Sequence, residues 1–96
     1  MLFCIYATDK SDALETRMAA RQAHLDYIKE NYNDNMVCAG PRLSDDGEAM
    51  IGSAVIIDLP DEAAVQVFCK NDPYSIAGIF ESVEITRFKH VFPMKD

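Results

Sequence analysis

Met36-Val37-Cys38-Ala39, then Gly40-Pro41, then the polar run Ser44-Asp45-Asp46-Gly47-Glu48, then Met50 to Leu59 with Ala54-Val55-Ile56-Ile57 at its centre: this stretch decides the fold. Two apolar segments rich in β-formers flank an Asp-Gly turn signal, so they read as a hairpin of strands at 36–39 and 50–59. Gly40-Pro41 is expected to stop the first strand. Upstream, from Asp12 to about Asn33, Leu14, Met18, Leu25, Ile28 and Tyr32 recur at helical spacing and predict one face of an α-helix packed on a core. Ser11 or Asp12 is positioned to cap it. Residues 2–7 before it form a short apolar run that reads as a buried strand. Downstream, Pro60 suits the first turn of a second helix, and Asp61 and Glu62 suit the positive end of its dipole. That helix should run to about Lys70 and bury Val65, Phe68 and Cys69, with Pro73 preventing its continuation. A last strand spans about Val83 to Val91, Val83 and Ile85 on one face, Glu84 and Thr86 on the other. The order β-α-β-β-α-β predicts an α+β, ferredoxin-like domain: a four-stranded antiparallel sheet with both helices on one face.

Such a sheet leaves its second face bare. Phe88, Phe92 and apolar residues of the first and third strands suggest a face that is not fully polar, and an exposed apolar face normally means a partner. A second copy closing a cavity between two sheets is the expected partner. Ninety-six residues suffice for one domain, 1–96, and a chain this small is well served by oligomerisation. No apolar run approaches the roughly 20 residues of a membrane span. The amino terminus lacks a basic region before its apolar stretch and is not expected to be a signal peptide. A net charge of −7 argues against nucleic acid, whose binding depends on neutralising phosphates with lysine and arginine. Cys4, Cys38 and Cys69 show no CxxC spacing and read as reduced thiols of a cytoplasmic protein. Two histidines without paired spacing make a protein-bound zinc improbable, and no metal or cofactor is expected.

The chemistry sits on the long helix. Arg17, Arg21 and His24 are spaced i, i+4, i+7 and line the rim of its apolar stripe, with Arg21 projecting inside the stripe and the other two at its near edge. Charges facing a core need an anionic partner or a lined cavity, because burying unpaired charge is costly. Asp72 lies before Pro73, which forces it out of the helical region at the end of the second helix. From there its carboxylate either orients the His24 imidazole as a base or merely caps the loop. Arg21 reads as a substrate clamp or as the ion-pair partner of an acid. Ser53, beside Gly52 in a strand, lacks the strand-turn-helix setting of a nucleophile and at most lends a hydrogen bond. Tyr74 lines the cavity or packs on the core, Gly40-Pro41 shapes the cavity edge, and His90 is expected at the surface.

Arg17-Met18-Ala19-Ala20-Arg21-Gln22-Ala23-His24-Leu25, Ala39-Gly40-Pro41, Gly52-Ser53, Asp72-Pro73-Tyr74 with Ala77-Gly78, and the closing Arg87-Phe88-Lys89-His90-Val91-Phe92 together resemble the YciI-like family, end to end and in order. The resemblance implies a ferredoxin-like fold, a dimeric α+β barrel, and a His–Asp active-site pair mapping to His24 and Asp72. A small-molecule ligand is expected in the cavity, with Arg17, Arg21, Ser53, Tyr74, Gly40 and Pro41 around it, and the chain is expected to form a homodimer or higher homo-oligomer. Dehydrochlorination of a chlorinated hydroxyhydroquinone occurs in the family, muconolactone isomerase-type enzymes have related barrels, and phosphorylation of the histidine has been suggested. Two functions follow as expectations. One is a cofactor-independent lyase or isomerase in which His24 moves a proton on a small aromatic or enolic substrate. The other is a non-catalytic dimeric module that binds a small acidic ligand.

Overall fold

A computed structural model describes residues 1–94. The elements are β1 (Leu2–Asp9), α1 (Leu14–Asn31), a 3₁₀ turn (Asn33–Asn35), β2 (Met36–Leu43), β3 (Met50–Asp58), α2 (Glu62–Asn71), α3 (Pro73–Ile76) and β4 (Phe80–Phe88). The four strands form one antiparallel sheet in the order β2-β3-β1-β4. This is the expected ferredoxin-like α+β fold, with the β2–β3 hairpin along one side. No helix of the described residues is long and apolar enough to cross a membrane.

The departures from expectation have local causes. Strand β2 does not stop at Gly40-Pro41 but runs through them, with Pro41 opposite Ser53. It is an edge strand, where proline can turn its donor-less nitrogen away from the ladder. Neither Ser11 nor Asp12 caps α1. Asp12 has φ +62, a left-handed turn out of β1, and the cap position falls to Ala13 with no side-chain bond. Pro60 lies outside α2, whose N-cap is Asp61, its carboxylate accepting from the Ala64 N–H at 2.8 Å. Pro73 ends α2 as expected but then opens α3, the N-terminal position where its missing N–H and fixed φ are tolerated. Strand β4 begins at Phe80 and ends at Phe88, earlier at both ends than expected.

Alternation along the strands separates two faces. Phe3, Ile5 and Ala7 pair with Ile57, Val55 and Ser53 and point toward the helices, where Val65 and Phe68 of α2 complete the main core. Tyr27 and Tyr32 of the α1 end pack on Phe68, and the Tyr27 hydroxyl donates to the Phe68 carbonyl at 2.9 Å. The other face carries Leu2, Cys4, Tyr6, Ala54, Ile56 and Phe88 among polar Thr8, Glu84 and Thr86. Tyr6 and Phe88 are each about two-fifths exposed there.

The face that α1 buries is a correction. Leu14, Met18 and Leu25, expected in the core, are exposed, and Arg21 is exposed with them. The line that meets the sheet and α3 is Ala13, Arg17, Ala20, His24 and Tyr27. The helix is thus turned by about one residue from the hydropathy pattern. Two alanines on this line let the helix approach closely, and its two polar members find carboxylates.

Candidate functional site

Arg17 is the deepest of the polar residues, 2% exposed although it carries a charge. Its Nη1 lies 3.3 Å from both carboxylate oxygens of Asp9, at the end of β1. Its Nη2 donates to the Gly52 carbonyl at 2.7 Å and to Ser53 Oγ at 2.6 Å. The guanidinium also lies 4.4 Å from the centre of the Tyr74 ring. Burial pushes the Asp9 carboxyl above its ordinary range, with Arg17 pulling the other way. The sequence placed Arg21 inward and Arg17 at the edge; the structure reverses them.

His24 Nδ1 lies 2.8 Å from Asp72 Oδ1. Asp72 is buried and extended, with ψ 127, as the proline after it requires. The same Oδ1 accepts the Tyr74 N–H at 3.0 Å, so Asp72 is both the N-cap of α3 and the partner of His24. A carboxylate only accepts, so Nδ1 carries the proton and Nε2 of the neutral ring keeps a lone pair. The Tyr74 ring stacks on the imidazole, 3.9 Å between centroids and 11° between planes. Asp72 thereby fixes one edge of the imidazole while Tyr74 covers one face.

Among the described residues, the buried side-chain nitrogens and oxygens without a partner reduce to Arg17 Nε. His24 Nε2 and the Tyr74 hydroxyl make no hydrogen bond to any described residue and are not among the buried atoms without a partner, so both reach solvent-accessible space. Burial raises the Tyr74 phenol above its usual value, against the opposing pull of Arg17 and Arg21. Near neutral pH it is a neutral donor. Cys69, the thiol nearest this pair, is pushed to about 11 by burial and then by the Asp72 charge. Its thiolate is scarce near neutrality, which removes it as a nucleophile.

That space is a cleft of roughly 400 Å³ between α1 and the β2–β3 hairpin. Helix α1 supplies Arg17, Arg21, His24, Leu25, Ile28 and Lys29; the hairpin supplies Ala39, Gly40, Pro41, Met50, Ser53 and Val55; Tyr74 closes one side. All eight residues singled out in the sequence are therefore at this site, seven lining the cleft and Asp72 behind His24. The cleft lies on the helix side of the sheet, against the face of α1 that carries Arg17, Arg21 and His24. Its mouth is basic, from the exposed Arg21 and Lys29, and its wall is apolar. His90 is exposed. Sequence reasoning missed Asp9, whose only signal was a carboxylate closing an apolar strand, and Lys29, which is spaced i+8 from Arg21 and i+4 from Leu25 on one helix face. Among the described residues no cluster of histidine, cysteine and carboxylate side chains is arranged to hold a metal.

Residues 1–89 match the model of the YCII-related domain. The chain belongs to that family. A Protein YciI of Escherichia coli O6:H1 is 39% identical over 98 residues, spanning 96% of this chain and all of that protein. A protein of Haemophilus influenzae is 34% identical over the same shares of both chains. Among solved structures, the 5-chloro-2-hydroxyhydroquinone dehydrochlorinase of Burkholderia phenoliruptrix, in complex with 2,5-dihydroxybenzoquinone, superposes with a TM-score of 0.86. It is 33% identical and is matched over 94% of this chain and 95% of its own. An antibiotic biosynthesis monooxygenase shares the fold at a TM-score of 0.54 and 14% identity. This YCII-related chain thus combines the family's fold with a stacked His–Asp–Tyr cluster beside a basic-mouthed cleft.

Proposed function

We propose that the protein is a proton-transferring enzyme of the lyase or isomerase type, acting on a small enolic or hydroxylated aromatic substrate with no added cofactor. One observation carries this reading: an imidazole oriented by a buried carboxylate at 2.8 Å, with its free nitrogen accessible beside a ligand-sized cleft. The similarity to a dehydrochlorinase that binds a dihydroxyquinone supports the substrate class. In this role His24 Nε2 takes a proton from an enolic hydroxyl and Asp72 stabilises the resulting imidazolium. On a chlorinated hydroxyhydroquinone the proton is first returned to the chlorine-bearing ring carbon as that hydroxyl becomes a carbonyl, which makes the carbon sp3. A second hydroxyl, on the ring carbon two atoms from it, then loses its proton and its electron pair becomes a carbonyl. The intervening double bond shifts toward the C–Cl carbon, and chloride leaves with the C–Cl pair. The sum is loss of HCl, which needs no oxidant. Where no leaving group is present, return of the proton to carbon gives isomerisation. Arg21 and Lys29 at the mouth attract an anionic substrate, and the walls around Pro41, Val55 and Leu25 accept a ring.

The test is turnover of chlorinated hydroxyhydroquinones and enol lactones by the purified protein, followed by ultraviolet absorbance. The wild type should turn over at least one compound, and His24→Ala should lower the rate roughly 10²- to 10⁴-fold. Equal rates for the two proteins would overturn the assignment of the base.

The bare sheet face supports a homodimer, as apolar Leu2, Tyr6, Ile56 and Phe88 lie on it with no helix to cover them. Light scattering at micromolar concentration should give twice the chain mass, and a stable monomer would contradict the assignment. Three unpaired thiols, Cys4, Cys38 and Cys69, fit a reducing cytoplasm.

A further inference from the structure

The proton acceptor of the proposed reaction has a residue, but the negative charge that develops on a substrate oxygen also needs a donor inside the cleft. Ser53 supplies the geometry for one. It sits on β3, buried, opposite Ala7 of β1 and Pro41 of β2. Its Oγ is 2.6 Å from Arg17 Nη2. A guanidinium has five donors and no acceptor, so in this bond the serine oxygen can only accept. Its own O–H proton must point elsewhere, and it is given to no acceptor among the described residues. Ser53 lines the cleft together with His24, and the two also line a small void of about 20 Å³ behind the imidazole. The hydroxyl is therefore an uncommitted donor in the space that the His24 nitrogen reaches. Accepting from a cation also polarises the O–H bond and strengthens it as a donor.

We infer that Ser53 is the oxyanion donor of this site, with Arg17 as the positioning residue that holds the serine oxygen as acceptor and frees its proton for a substrate oxygen. The assignment rests on the proposed function for its substrate class. It differs from a nucleophilic role, because no group among the described residues accepts the Ser53 proton. It also gives the buried Arg17 a task. Asp9 compensates the arginine's charge from one side, and its other nitrogen faces the serine. The ligand this arrangement fits is a small planar molecule bearing an acidic hydroxyl or enolate oxygen, its ring against the apolar wall.

The experiment uses 2,5-dihydroxybenzoquinone as the probe, a vinylogous acid whose ionised form is coloured. The full chain, Ser53→Ala and Ser53→Thr are titrated with it, and thermal melting checks that each is folded. The wild type should bind the probe, Ser53→Ala should bind about 10- to 100-fold more weakly, as for a hydrogen bond to a charged group, and Ser53→Thr should keep most of the affinity. The spectrum of the bound probe should show it ionising at lower pH on the wild type than free in solution, and less so on Ser53→Ala, a change that loss of packing alone would not produce. Equal affinity of wild type and Ser53→Ala overturns the donor assignment and leaves the proton-transfer reading standing. A probe that does not bind the wild type at millimolar concentration overturns both. Should Ser53→Ala fail to fold, a wild-type complex whose probe titrates as it does free in solution overturns the assignment alone.

Discussion

Gly52→Ala is expected to be the most damaging glycine-to-alanine change in this protein. A Cβ at Gly52 would overlap the Ala7 carbonyl of the neighbouring strand, and the Arg42 guanidinium is packed against the same spot. Arg42 cannot easily withdraw, because Nη1 donates to Ala7 O at 2.8 Å and to Thr8 Oγ1 at 3.2 Å while the group stacks 3.8 Å over the Tyr6 ring. The backbone must therefore yield, and β3 would separate from β1 where the Gly52 carbonyl also receives Arg17. Overpacking of this kind costs about 3 kcal/mol at the upper end of its usual range. For a domain of this size that lowers Tm by roughly 12–24 °C. Gly40→Ala is the control, since a methyl there meets nothing within 4 Å, and its stability should change by no more than about 0.5 kcal/mol. Thermal melting of both variants reads the contrast. Matching Tm values would show that the β1–β3 contact at Gly52 is not tight.

The fold was legible because its signals are local. The Asp-Gly turn between two β-rich runs, the helical spacing from Leu14 to Tyr32 and the prolines around α2 each act within a few residues. What misled was the orientation of α1. Hydropathy ranks Leu14, Met18 and Leu25 as buried and gives no credit to Arg17, yet Arg17 is inside because Asp9, Gly52 and Ser53, distant in sequence, satisfy four of its contacts. Compensation of a buried charge is a tertiary fact that no periodicity encodes. Strand β2 was read too short for a related reason, since Pro41 breaks a central strand but not an edge, and edge position depends on the sheet order. The membership of the site was legible from the family motifs, and the Asp72–His24 contact was suggested by the turn that Pro73 imposes. Its placement against α1 followed from charged residues on a core-facing helix, which call for a lined cavity, but its opposite wall did not. The uncovered inner side of β2, where Ala39 and Pro41 face the cleft, appears only once β2 is known to be an edge strand that α1 leaves uncovered.

Asp72→Asn should separate the two readings of the His–Asp pair. In the wild type one oxygen, Oδ1, receives both the His24 Nδ1–H and the Tyr74 N–H. An asparagine carbonyl can take over both bonds, so the cap of α3 and the position of the ring survive. The stability cost should be about 1–2 kcal/mol, the difference between hydrogen bonds to a charged and to a neutral acceptor. The amide cannot stabilise an imidazolium by charge. If its NH₂ turns toward the ring instead, Nδ1 becomes the acceptor and Nε2 carries the proton, the wrong tautomer for a base. Turnover should therefore fall by roughly 10²–10⁴ while the melting curve moves little. The opposite pattern is equally specific. If Asp72→Asn and His24→Ala melt the protein while activity per folded molecule persists, the two hydrogen bonds that Asp72 Oδ1 accepts exist to seat α3 against α1. The chain is then better described as a dimeric module that binds a small acidic ligand in a basic-mouthed cleft.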